Sequence, residues 1–391
     1  MTAELRGNWN YPTTIWAGPG RIAELGAACA RAGIRRPLVV TDQGLRAHPM
    51  IASAAAALGG APVFGEVKGN PTSANVAAGL AAYRTGTHDG VVAFGGGSAL
   101  DTGKVVAFMS GQSRPLWDFE DIGDWWTRAD TAGIAPVVAV PTTAGTGSEV
   151  GRAGVILNPE THQKKIIFHP QMMPRIVILD PELTLGLPPH ITAATGMDAF
   201  VHCFEAYCAP GFHPFADGIA LEGLRLVREY LPRACADGSD LEARSRMLAA
   251  AAMGATAFQK GLGAVHAIAH PVGSWFDTHH GLTNAVILPY VMSFNRPAIE
   301  AQAAVIGRVL GLTVPGFEGL LAWVLELRRR LGIPHALAAI GVDAEQAALI
   351  GREAALDPSA GGNPVAVDAA ALERIFRAAV AGELAAVGAP A

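Results

Sequence analysis

The sequence predicts an α/β domain built on a parallel sheet, followed by an all-α domain. Three observations carry this. Short apolar runs alternate with helical stretches through the first half, the pattern of a parallel sheet with crossover helices on its faces. After Pro188-Pro189 the β-branched runs give way to long Ala-, Leu- and Met-rich segments. Half of the 391 residues are hydrophobic, 16% are charged and the mean hydropathy is +0.29, which leaves room for two or three domains and a large core. The expected domains are residues 1–186 and 187–391, with the crossing near 183–190.

Taken in order, 12–20 (PTTIWAGPG) reads as a strand and turn, 21–32 as a helix ended by Gly33, and 37–41 as a strand stopping at Asp42. A helix is expected over 50–58 and a strand over 62–67. Asn70-Pro71-Thr72 then makes a turn from which Ser73 or Asn75 begins a helix. Strands over 90–94 and 137–140 run into GGGSALDTGK and PTTAGTGSEV. The second half reads as helices over 191–208, 214–231, 240–259, 261–270, 295–311, 316–331, 343–355 and 367–382, with no internal repeat.

Composition excludes several function classes. A net charge of −5 without a basic run argues against nucleic acid or an anionic membrane surface as partner. No run approaches the roughly 18 apolar residues of a membrane span. Residues 1–12 lack the apolar centre of a signal peptide. Cys29, Cys203, Cys208 and Cys235 form no CxxC pair, as expected of reduced thiols in a cytoplasmic protein.

Gly95-Gly96-Gly97-Ser98 sits where a strand ends and a helix begins. Glycines there let backbone N–H groups approach a phosphate at a helix N-terminus. Alone, the run reads equally as an ordinary turn. Three further features fall at strand ends: the 141–148 loop with Thr142 and Thr143, Asn70, and Asp42, whose carboxylate can bind a ribose 2′-OH. Ligands of open parallel sheets bind at those ends, so a dinucleotide is expected, and a carboxylate at Asp42 favours NAD over NADP.

The stretch GLGAVHAIAHPVGSWFDTHHGLTN (261–284) places His266 and His270 four residues apart, with His280 beyond them. Earlier, GMDAFVHCFEAY sets Asp198 and His202 at the same spacing. Residues i and i+4 share a helix face, so each pair can aim two polar groups at one spot. A lone histidine on an apolar face is usually a hydrogen-bonded core residue. Two such pairs are harder to read that way, and an ionised Asp198 among Met, Ala and Phe is costly without a cation. The expectation is that Asp198, His202, His266 and His280 hold a divalent transition metal, with His270 facing the same cavity without necessarily ligating. A dinucleotide in one domain and a metal in the other imply a cleft between them, where the metal polarises a substrate oxygen and the nicotinamide exchanges a hydride. His270 is placed to relay a proton or to line the nicotinamide pocket.

At this point the chain resembles the iron-containing (group III) alcohol dehydrogenases, of the dehydroquinate-synthase-like fold. The matching segments are GGGSALDTGK, PTTAGTGSEV, DPELTLGLPP, TAATGMDAFVHCFEAY, KGLGAVHAIAHPVG, HHGLTNAVILPYV and GGNPVAVDAAALERIF. The resemblance implies a Rossmann-like NAD(P) domain and a helical domain with Fe²⁺, sometimes Zn²⁺. It puts Asp198, His202, His266 and His280 at the ligand positions and His270 at the cleft histidine. It puts Asp42, Asn70, Gly96, Gly97, Ser98, Thr142, Thr143, Lys165 and Leu183 at cofactor positions. Lys165, beside Lys164, reads equally as surface charge on its own. The resemblance also implies a homodimer or larger assembly. Many relatives have another residue at His279, which adds a possible competing ligand or a turn residue aimed elsewhere. Arg152 reads as a surface or core-pairing charge, or as a contact for an anionic substrate.

The function expected is NAD-linked, metal-dependent interconversion of a small alcohol and its aldehyde or ketone. The alternatives are a maleylacetate-reductase-like reductase, whose relatives typically lack the intact ligand set, and an NAD-using lyase or cyclase. The latter needs a Lys/Arg-rich pocket, whereas the neighbours here are Ala, Val, Phe and Trp275. A non-catalytic nucleotide-binding protein is disfavoured by the complete ligand set.

Overall fold

Nine short segments, most of them carrying Val or Ile, form the strands among the described residues of the computed structural model, which are 7–9 and 13–387. The rest of residues 1–12, including Pro12 of the first expected strand, and residues 388–391 lie outside them. The strands are β1 (Gly7–Trp9), β2 (Thr14–Ala17), β3 (Pro37–Asp42), β4 (Val63–Val67), β5 (Gly90–Gly95), β6 (Val137–Pro141), β7 (Ala153–Asn158), β8 (Gln163–Phe168) and β9 (Ile176–Leu179). Seven make one sheet in the order β1-β2-β9-β6-β5-β3-β4. All its neighbours pair parallel except β1 with β2. β5, β6 and β9 are buried at every position, as strands covered on both faces must be, and so read as unbroken apolar runs. β7 and β8 form a separate antiparallel hairpin.

The chain divides into two compact units: residues through Thr143 with Gly147–Gly186, and Ala144–Thr146 with Leu187 onward. The first carries both sheets and four helices among its described residues: α1 (Leu25–Ala32), α2 (Pro49–Ala57), α3 (Ser73–Thr85) and α4 (Gly97–Met109). A capping box at Thr72 and Asn75 starts α3, so Ser73 is its first residue. The second carries α5 (Pro189–Cys208), α6 (Pro214–Ala236), α7 (Leu241–Ala257), α8 (Ala264–Phe276), α9 (His280–Val309), α10 (Phe317–Arg330), α11 (Ala347–Leu356) and α12 (Ala369–Ala381) around one apolar cluster. The α/β half on a parallel sheet and the helical half are thus as predicted. No helix of the described residues is long and apolar enough to cross a membrane.

The differences have local causes. The first expected helix is split, with a 3₁₀ turn over Arg21–Glu24 preceding α1. α6 passes through Pro232, and α8 continues through Pro271 to Phe276 instead of ending at His270. Proline removes one helical N–H, but burial of Leu231 and Ala234 around Pro232, and of His270 and Val272 around Pro271, keeps the chain helical past it. α9 begins at His280, not 295, because its first half is buried on every face and therefore shows no 3.6-residue period. The β7–β8 hairpin and β9 were not expected, although AGVILN alternates in burial along β7 and IVIL is an apolar run between prolines.

Candidate metal centre

α5 sets Asp198 and His202 on one face, α8 contributes His266 from its first turn, and α9 contributes its first residue, His280. One ligand atom from each of the four lies within 4.8 Å of the others. Nε2 of His280 is 3.6 Å from Asp198 Oδ1, Nε2 of His202 is 4.0 Å from it, and the His202 and His266 rings stack with centroids 4.7 Å apart. Gly281 lets α9 come this near: a Cβ there would lie 2.5 Å from the Ala194 carbonyl oxygen and 3.0 Å from Asp198 Cβ. The sequence-expected ligands therefore converge, Asp198, His202 and His266 buried and His280 half-buried. A carboxylate and three imidazoles are a donor set that suits a divalent transition metal.

Each imidazole has a distinct setting. Burial pushes the His202 pKa down to about 4 against the pull of Asp198, so it offers a neutral ring with an available lone pair. For His266, burial opposes the charge, but the hydrogen bond and charge of Glu205, helped by Asp198 and Asp357, raise its pKa. The Glu205 Oε2 is 2.6 Å from His266 Nδ1, and its Oε1 accepts from the Val265 N–H at 2.8 Å. Glu205 thus fixes ring and helix start together, leaving His266 Nε2 for the centre.

His270 is not one of the four converging residues. Its ring stacks on His280 with centroids 5.5 Å apart, and its Nδ1 is 2.7 Å from Asp357 Oδ2. Burial would raise the Asp357 pKa, but the charge and hydrogen bond of His270, with the Ser359 hydrogen bonds, lower it. His279 caps α9, its Nδ1 accepting from the Leu282 N–H at 3.3 Å, and does not join the cluster. The Arg152 guanidinium lies 5.6 Å from the Phe168 ring centroid.

In the α/β unit, β3, β4, β5 and β6 are parallel, so Asp42, the turn with Asn70, Gly95–Ser98 and the loop with Thr142 and Thr143 leave the same sheet edge. The Asp42 Oδ1 accepts from the Leu45 N–H at 3.0 Å. Gly96 is the N-cap of α4 and no side chain caps that end. Ser98 Oγ donates to the Gly69 carbonyl at 2.6 Å, tying α4 to the Asn70 turn. Thr142 is buried, its N–H donating to the Gly95 carbonyl at 3.0 Å. Leu183 is buried in the 3₁₀ turn after β9. Lys165 is on β8, its Nζ 3.2 Å from Glu120 Oε2, in the hairpin whose Leu157 N–H donates to the Pro71 carbonyl at 2.7 Å beside Asn70.

Three functional neighbours went unread in the sequence. Glu205 is three residues past His202 and Asn284 four past His280, so helical spacing places each beside a ligand. Asp357 reaches His270 across 87 residues, and no local pattern announces it.

Comparison with known proteins agrees with this architecture. The iron-containing alcohol dehydrogenase family profile matches residues 12–181, and the Fe-containing alcohol dehydrogenase C-terminal profile matches 192–380. 4-Hydroxybutyrate dehydrogenase of Cupriavidus necator is 42% identical over 344 residues, 85% of this chain and 89% of that protein. The crystal structure of 1,3-propanediol oxidoreductase matches with a TM-score of 0.87 and 36% identity, covering 93% of this chain and 96% of that one. Sulfoacetaldehyde reductase from Bifidobacterium kashiwanohense, crystallised with NAD⁺, matches with a TM-score of 0.84 and 29% identity, covering 94% and 97%. The chain belongs to the iron-containing alcohol dehydrogenase family. It is a metal-dependent alcohol oxidoreductase acting on small alcohols or aldehydes.

Proposed function

We propose that the chain interconverts a small alcohol and its aldehyde or ketone with NAD as hydride carrier, and that Asp198, His202, His266 and His280 hold Fe²⁺, with Zn²⁺ the rival. The observation that carries this reading is the convergence of three imidazoles and one carboxylate, three of the four buried. A divalent cation bound there supplies Lewis acidity, lowering the pKa of an alcohol or polarising a carbonyl. NAD supplies the hydride acceptor. Glu205 keeps His266 turned to the centre. Asp357 occupies Nδ1 of His270, which leaves Nε2 to accept the alcohol proton in oxidation and return it in reduction. Asp42 receives the ribose hydroxyl, while the N–H groups of Gly97 and Ser98 behind Gly96 face the pyrophosphate. Asn70, Thr142, Thr143, Lys165 and Leu183 complete the cofactor contacts. The carboxylates beside the ligands, Glu205 and Asp357, are unsuited to a phosphorylated, carboxylated substrate and weigh against the lyase or cyclase reading.

A panel of 4-hydroxybutyrate, 1,3-propanediol and simple alcohols, each with NAD and added Fe²⁺ or Zn²⁺, tests the reading by NADH absorbance. At least one should give sustained NADH formation; none doing so with either metal would refute it. Asp42→Gly should lower the NAD over NADP ratio of kcat/KM by about tenfold or more, since removing the charge repelling a 2′-phosphate is worth upwards of ~1.4 kcal/mol. An unchanged ratio would show that Asp42 does not neighbour the ribose.

A cytoplasmic homodimer belongs to the same proposal. Its support is four free cysteines and β1, which among the described residues is an edge strand paired with β2. Light scattering giving a single-chain mass would end the dimer proposal, and secretion of the protein from its native cell would end the cytoplasmic one.

A further inference from the structure

Asn284 lies one turn beyond His280 on α9 and is completely buried. Its Nδ2 is 2.7 Å from Asp198 Oδ1, 3.2 Å from His266 Nε2 and 3.1 Å from His280 Nε2. One amide nitrogen thus stands among atoms of three of the four cluster residues. The amide has two N–H groups and cannot serve three acceptors fully. The reverse orientation would set Oδ1 against a carboxylate oxygen, so the contact with Asp198 fixes which end faces inward. The outward Oδ1 is buried without a partner, a costly arrangement that packing alone gives no reason to keep. The donor end carries partial positive charge where lone pairs of a carboxylate and two imidazoles converge. That is the charge a cation would supply.

We propose that Asn284 is a positioning residue for the metal centre. Its amide N–H groups stand in for the cation and hold Asp198, His266 and His280 converged. When a cation takes the imidazole lone pairs, the bond to Asp198 is retained and keeps that carboxylate aimed. This rests on the reading that the four residues bind a cation.

The test uses the full chain, Co²⁺ as a spectroscopic probe, and Asn284→Leu and Asn284→Asp, both near the native volume. Asn284→Leu loses the donor and should bind Co²⁺ about 10–100-fold more weakly, the usual cost of removing a group that orients a ligand, with an altered visible Co²⁺ spectrum. Asn284→Asp adds a second carboxylate beside Asp198. It should widen the Tm difference between Co²⁺-loaded and cation-free protein beyond that of the wild type. Co²⁺ affinity and spectrum in Asn284→Leu matching the wild type, or an unwidened Tm difference in Asn284→Asp, overturns the proposal. If Asn284→Leu does not fold, the Tm difference of Asn284→Asp decides alone. Failure of the wild type to bind Co²⁺, Fe²⁺ or Zn²⁺ would instead defeat the reading of the centre itself, and this proposal with it.

Discussion

Stripping the purified protein with a chelator should lower alcohol oxidation by about 10³-fold or more, and Fe²⁺ should restore it where Mg²⁺ does not. The magnitude follows from what the organic residues lack. An alcohol resembles water in acidity, and metal binding brings the pKa of water far down, to roughly 7, a change no neutral imidazole reproduces. His270 can take the proton, but general-base assistance alone is worth typically ~10²–10⁴ and depends on an acidified substrate to reach that range. Mg²⁺ prefers an octahedral shell of oxygens, and the cluster offers three nitrogens and one carboxylate. His266→Ala should copy the stripped protein and resist rescue by Fe²⁺. Undiminished turnover by protein shown to be free of metal would remove the cation from the reaction.

Replacing Glu205 should have the next largest effect, through two losses at once. Its oxygens accept from the Val265 N–H and sit against His266 Nδ1, and all three groups are buried. Glu205→Ala leaves two buried donors unmatched, each worth about 1–3 kcal/mol, so the cation-free protein should unfold at markedly lower denaturant. It also frees the His266 ring, which should weaken cation binding by about 10–100-fold. Glu205→Gln keeps the volume and one acceptor oxygen. It should therefore recover most of the stability while cation affinity, read by equilibrium dialysis, stays reduced. If both variants bind the cation as tightly as the wild type, Glu205 serves α8 and not the centre.

Asp198, His202 and His266 were legible because helical periodicity is local: the i,i+4 relations Asp198/His202 and His266/His270 in apolar surroundings announce inward-facing polar groups that something must neutralise. His280 stands in neither pair, and His270, which does, is not among the four that converge. That Asp42, Gly97 and Thr142 leave one edge of the sheet was legible for a similar reason, since strand ends in a parallel sheet share an edge whatever the intervening lengths. Glu205 and Asn284 had the right spacing but no distinguishing chemistry, because one polar residue on a long helix is ordinary. Asp357 was illegible: its partner is set by how α11 and α8 pack, which no local pattern encodes. The first half of α9 was hidden because a segment buried all round has no polar face to mark the helical period. The β7–β8 hairpin that carries Lys165 was omitted from the strand count, because β8 opens on Gln163-Lys164-Lys165 and shows no apolar run there.

Ala144–Thr146 belong with the helical unit although the chain on either side of them does not. Gly145 approaches Thr195 so closely that a Cβ on it would lie 2.8 Å from the Thr195 Cβ, and its backbone bears on the His202 ring. Modular exchange with a relative therefore cannot be done by one splice at 186/187. A hybrid gene joined there pairs a borrowed α5 with a native tripeptide shaped for another neighbour, at the helix that carries two ligands. Transplanting the helical half as a working part takes the tripeptide too.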